Sequence, residues 1–110
     1  GLACGEPCRL GWEVLAGAAD YALRCDDSIA AKGMRLLGAP AGDDPRVISG
    51  ESGAVTSGAA ISLLMDEQYE QLKEKLRLDC HSVLLCFSTE GATDLLNYRR
   101  VVWDGEHASL

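Results

Sequence analysis

The sequence predicts an α/β fold in which helices pack on a short, mainly parallel sheet. Three observations carry that expectation. Residues 82–87, SVLLCF, hold five apolar positions out of six with no alternation of polar and apolar side chains, the pattern of a strand covered on both faces inside a parallel sheet. Stretches of helical periodicity alternate with short β-prone stretches along the chain. Residues 47–65, VISGESGAVTSGAAISLLM, pass from a brief apolar run through a glycine-bracketed polar turn into an apolar helix. In that turn Gly50 and Gly53 permit tight bending and close approach, while Ser49, Glu51 and Ser52 set polar atoms beside the free amides of the helix start. Such a turn suits a ligand or an ordinary helix cap.

Taken in order, the chain opens with a turn through Gly5, Glu6 and Pro7, then a short helix carrying Trp12, Val14, Leu15 and Ala18 and ending near Asp20. Residues 21–25 are partly β-prone and read as a strand or a linker. Asp26, Asp27 or Ser28 can accept the first amides of the next helix. Its apolar face holds Ile29, Gly33, Leu36 and Leu37, and Gly38 with Pro40 ends it. Residues 39–46 read as a loop whose Asp43, Asp44 and Arg46 offer charges for binding, the more ordinary reading being that they are solvated or locally paired. In the helix after the central turn, Ala54, Val55, Ala59, Ala60, Ile61, Leu63, Leu64 and Met65 fall around most of the circumference, which predicts protein on nearly all sides. Asp66 is placed to cap a surface helix with a Tyr69, Leu72 and Leu76 stripe and with Glu67, Glu70, Lys73, Glu74 and Lys75 toward water. After the 82–87 run come STEGATD at 88–94 and a final helix over 95–102 containing Tyr98, Arg99 and Arg100. Ligands of open α/β sheets bind beyond the carboxyl ends of the strands, so a site is expected where the SGESG turn, residues 49–53, meets the STEGATD turn.

Bulk properties exclude several classes. A net charge of −7 and a pI of 4.6, from scattered acidic residues, argue against binding nucleic acid or an anionic membrane. No apolar run approaches the roughly 18–20 residues that span a bilayer, and no stretch has the layout of a secretion signal, so a soluble cytoplasmic chain is expected. Residue 1 is glycine and GLACGEP has mid-chain turn chemistry, which predicts that 1–110 is the C-terminal segment of a larger domain. The five cysteines, at 4, 8, 25, 80 and 86, are odd in number and do not suggest a disulfide framework. Cys4, Cys8, Cys80 and His81 lack the paired spacing of a structural zinc site, so no metal is expected and the thiols, Cys86 above all, are read as buried core. The SGESG turn has no following lysine and carries Glu51, against a phosphate-binding loop. His81 and His107 sit in no serine-nucleophile context.

The stretches GLACGEP, GW-E-VL, AAKGMRLLG, GDDPRVISGESGAV, STEG-TD and NYRRVVWDG together resemble the C-terminal portion of the diaminopropionate ammonia-lyase family. Its members are pyridoxal-phosphate (PLP) enzymes of the fold group, fold type II, that includes tryptophan synthase β, threonine dehydratase and serine racemase. The resemblance runs over nearly the whole chain. It implies a homodimeric cytoplasmic enzyme converting 2,3-diaminopropionate to pyruvate and two ammonia molecules by PLP-dependent α,β-elimination. The lysine that anchors the cofactor and the phosphate cup would then lie in the missing upstream part, because Lys32, Lys73 and Lys75 occur in non-matching helical contexts. No catalytic residue is therefore expected in this segment.

By the same resemblance, Ser88 or Thr89 should lie near the pyridine nitrogen, where a neutral hydroxyl cannot hold that nitrogen protonated. Ser49, Gly50, Glu51 and Ser52 correspond to a turn packed beside the cofactor, and Cys4, Gly5 and Glu6 to a loop near the substrate pocket. The chain departs from the family pattern at Ala92, where an acidic residue is expected, and at Thr56 and Ser57, where a glycine and a small apolar residue are common. Two further readings stand beside the first: a PLP lyase or dehydratase for another β-substituted amino acid, and a non-catalytic interaction module derived from a lyase tail.

Overall fold

The computed structural model describes residues 4–108, and over them the chain is helical. Helix α1 spans Arg9–Ala18, α2 Asp27–Gly38, α3 Glu51–Met65, α4 Glu70–Lys75 and α5 Leu95–Val102, with a 3-10 turn at Glu67–Tyr69 leading into α4. Among the described residues there is no strand and no sheet, which overturns the expected α/β arrangement of helices on a parallel sheet. The physical reason is that a strand is held by hydrogen bonds to a neighbouring strand, and apolar composition does not supply that neighbour. Residues 82–87 find none among the described residues, and their side chains face solvent, Val83 being 94% exposed. Residues 21–25 and 47–49 connect helices in the same unpaired way, although the Val47 N–H donates to the Leu37 carbonyl at 2.9 Å.

The core lies where α2 crosses α3 and α5 closes over α2. Small residues make the crossing close. A Cβ added at Gly33 would strike the Ala54 carbonyl, and one at Gly58 would strike the Ile29 carbonyl, so the two backbones touch at these glycines. Ala31, Met34, Ala54, Tyr98 and Val101 fill the space beside them. The buried stripe of α3 is Gly53, Ala54, Gly58 and Ser62, which corrects the expectation of a helix enclosed on nearly all sides: Leu64 and Met65 are exposed. One face was enough because side chains this small bring α2 to van der Waals contact along a single line.

Polar bonds fasten the assembly. The Lys32 ammonium on α2 donates to Ser62 Oγ at 2.9 Å and to Asp66 Oδ2 at 2.9 Å, at the end of α3. Asp66 is thereby drawn to Lys32, and its side chain does not cap the following turn as expected. Asp26 likewise makes no side-chain cap on α2, whereas Asp94 does cap α5, accepting the Asn97 N–H at 3.0 Å. Arg35 of α2 donates to the Val101 carbonyl at 3.0 Å, where a cation suits the negative end of α5. The predicted Tyr69, Leu72 and Leu76 stripe is half-buried. All five cysteines are exposed, correcting the reading of buried thiols: Cys86 shares the fate of the unpaired 82–87 run. No described helix is long and apolar enough to cross a membrane.

Candidate functional site

The central turn and the 88–94 turn meet. The Ser49 and Ser88 hydroxyls lie 3.0 Å apart, and the Gly50 N–H donates to the Glu90 carbonyl at 3.3 Å. The approach depends on missing side chains. A Cβ at Gly50 would lie 2.8 Å from the Gly91 carbonyl and 2.9 Å from the Glu90 carboxylate, and one at Gly53 would lie 2.9 Å from Ser88 Oγ and would strike Ser49 Oγ. These are the two glycines that the turn chemistry of the sequence singled out.

Ser49 is fully buried and its Oγ has three oxygens in reach: Ser88 Oγ, the Glu90 carbonyl at 3.2 Å and the Gly50 carbonyl at 3.2 Å. A hydroxyl has one proton and two lone pairs. When Ser49 donates to a carbonyl, Ser88 can donate to Ser49; when Ser49 donates to Ser88, the Ser88 proton is released for another acceptor. Ser88 is itself exposed, so the pair can present either a donor or an acceptor outward.

Gly50 occupies the N-cap position of helix α3 and has no side chain to cap it. The cap comes from 38 residues away, where Glu90 Oε1 accepts the Ser52 N–H at 2.9 Å. That backbone hydrogen bond, followed by one from the Ser52 side chain, holds the Glu90 carboxyl below the usual glutamate range. Glu51 accepts a hydrogen bond from the Asn97 side chain at 3.1 Å, tying the start of α3 to α5. Between these groups is a cavity of about 110 Å³ lined by Glu51, Glu90, Thr93, Asp94, Asn97 and Tyr98 among others. Three carboxylates on its wall disfavour an anion within it.

Of the residues expected at a site, Ser49, Gly50 and Ser88 are thus drawn together, and Glu51 stands on the adjoining cavity. Thr89 is exposed next to Ser88 in the chain. Cys4, Gly5 and Glu6 are exposed, form a local turn in which the Cys4 thiol donates to the Glu6 carbonyl at 3.5 Å, and do not line the cavity. Ala92 packs half-buried against the core beside Met34 and Tyr98, and Thr56 is exposed on α3. Sequence reasoning missed Glu90 and Asn97. The signal for Glu90 was a helix opening on glycine together with a glutamate in the facing turn.

The chain is homologous over almost all of its length to the C-terminal part of an ammonia-lyase. The relative is diaminopropionate ammonia-lyase of Escherichia coli (strain K12), 55% identical over 108 residues, a match covering 98% of this chain. A solved structure of the Escherichia coli enzyme in complex with D-serine superposes with a TM-score of 0.91 at 55% identity, over 98% of this chain and 28% of that one. Another, in complex with an aminoacrylate-PLP azomethine reaction intermediate, gives a TM-score of 0.90 at 54% identity, over 97% of this chain and 28% of that one. The chain spans about 27% of the length of the curated relatives it matches. No family model matches it.

Proposed function

We propose that this segment forms the ring-side wall of a PLP site in the catalytic domain of an enzyme that converts 2,3-diaminopropionate to pyruvate and two ammonia molecules by α,β-elimination. The observation that carries the reading is the 3.0 Å contact between the Ser49 and Ser88 hydroxyls, in a segment 55% identical to diaminopropionate ammonia-lyase. The fit is selective. A helix N-terminus is the usual seat of a phosphate, yet that of α3 is closed by the Glu90 carboxylate, so the residues present suit the ring and not the phosphate end of the cofactor.

When bound, PLP supplies an electron sink for the charge left on the substrate carbon. Ser88, backed by Ser49 and with Thr89 next to it, is the neutral donor for the ring nitrogen; a hydroxyl orients that nitrogen without holding it protonated. Ser49, Gly50 and Glu51 form the turn beside the ring, and Cys4, Gly5 and Glu6 belong to the substrate side. Lys32 and Lys73 are engaged with Asp66 and Glu70, which supports an anchoring amine from the remainder of the catalytic domain. That remainder also covers the apolar face exposed here, and the whole enzyme works as a cytoplasmic homodimer.

The test is to supply the full-length protein with 2,3-diaminopropionate. The expected result is a visible cofactor band, pyruvate, and two ammonia molecules for each pyruvate; no pyruvate overturns the reading. A second reading, a lyase for another β-substituted amino acid, is favoured by the D-serine complex of the homologue. Faster turnover of serine or threonine than of diaminopropionate would select it.

A further inference from the structure

We propose that Glu90 is the positioning residue of the hydroxyl pair, holding Ser49 and Ser88 where the cofactor ring needs its neutral donor; the inference rests on the PLP reading above. Glu90 grips the central turn at both of its ends. Its carboxylate takes the Ser52 N–H at 2.9 Å, and its carbonyl takes the Gly50 N–H at 3.3 Å and the Ser49 hydroxyl at 3.2 Å. Ser88 is two residues before it, so the same grip sets the place from which Ser88 reaches Ser49.

The strength is divided unequally between these bonds. The side-chain bond is charge-assisted and sits at the positive end of a 15-residue helix, where a carboxylate is favoured by the free amides. The carbonyl bonds at 3.2–3.3 Å are longer and neutral. Without the carboxylate, the hydrogen bonds among the described residues that hold 88–91 to the central turn are those weaker bonds and the serine pair. Their backbone is then free to drift, and a donor displaced by even a fraction of an ångström loses much of its value to a bound ring.

The experiment titrates PLP into the full-length apo-protein, following visible absorbance, for Glu90→Ala, Glu90→Asp and Glu90→Gln, each in the wild-type and Ser88→Ala backgrounds. Glu90→Ala is expected to weaken PLP binding about tenfold, the scale of one charge-assisted hydrogen bond. Glu90→Asp, one methylene too short to reach Ser52, weakens it in the same direction and serves if the alanine variant does not fold. Glu90→Gln keeps an oxygen to accept the Ser52 N–H but loses the charge, so its PLP affinity is expected to fall between those of wild type and alanine. In the Ser88→Ala background the alanine change adds little, because its effect passes through Ser88.

Tight binding by both Glu90→Ala and Glu90→Asp overturns the inference, as does glutamine proving as damaging as alanine. A loss of equal size in the Ser88→Ala background also overturns it, since Glu90 would then act only as a structural cap. A wild-type protein that takes up no PLP sinks the cofactor reading and this inference together; wild-type uptake with unaltered variants sinks this inference alone.

Discussion

Asp66 and Glu90 are the carboxylates whose charge the structure uses most directly. Asp66 is held below the usual aspartate range first by its hydrogen bond from Lys32, and Glu90 below the usual glutamate range first by the Ser52 N–H. Both folded-state values are lowered. Each group therefore contributes stability that is fully present above its unfolded pKa and is lost as pH falls through the lowered folded value. Urea unfolding of the full-length protein, repeated from neutral pH down through the carboxylate range, should show wild type losing stability faster than Asp66→Asn or Glu90→Gln. Parallel curves for all three would show that neither charge is linked to folding. Ser49 and Ser88 belong to the same scale, for their value lies in one shared proton and not in a net charge.

At the scale of elements, the crossing of α2 and α3 depends on having no side chain at two positions. Alanine at Gly33 gains about 1 kcal/mol of helix propensity, but its Cβ would run into the Ala54 carbonyl and lie 2.9 Å from the Gly58 nitrogen. Backbone cannot rotate away as a side chain can, so overpacking wins. Gly33→Ala and Gly58→Ala are each expected to destabilise by about 1–3 kcal/mol, read from denaturant midpoints. Gly17 on α1 is the control: nothing lies within 4 Å of its added Cβ, so alanine there is expected to be neutral or stabilising. If all three behave alike, propensity and not contact governs the crossing.

For the whole molecule, surface area is the telling quantity. A compact monomer of 11.7 kDa exposes about 5,900 Å², while this chain exposes 8634 Å². Its radius of gyration is 14.8 Å, against about 13 Å for a compact chain of this length. Part of the excess is an apolar groove of about 300 Å³ between α3 and the 82–87 run, lined by Val55, Ala59, Leu63, Leu84 and Cys86 among others. Open apolar surface of this kind seeks cover. The 110-residue chain expressed by itself is expected to bind an apolar dye strongly and to scatter light at micromolar concentration, and the full-length protein to do neither. A monodisperse, dye-silent isolated chain would favour the reading as an independent interaction module.

The sequence by itself determined what depends on near neighbours. Helical periodicity and turn residues located α2, α3 and α5, and the spacing of Gly50 and Gly53 marked the turn that approaches another segment. The order of idiosyncratic motifs pointed to the lyase relatives. Tertiary structure alone decided what depends on partners far along the chain. Five apolar residues at 82–87 state a preference for burial but cannot provide a neighbouring strand, so neither the sheet nor the buried Cys86 came about among the described residues. Likewise, a carboxylate capping a helix from 38 residues away leaves no local pattern, and Glu90 became visible only when folding brought its turn against α3.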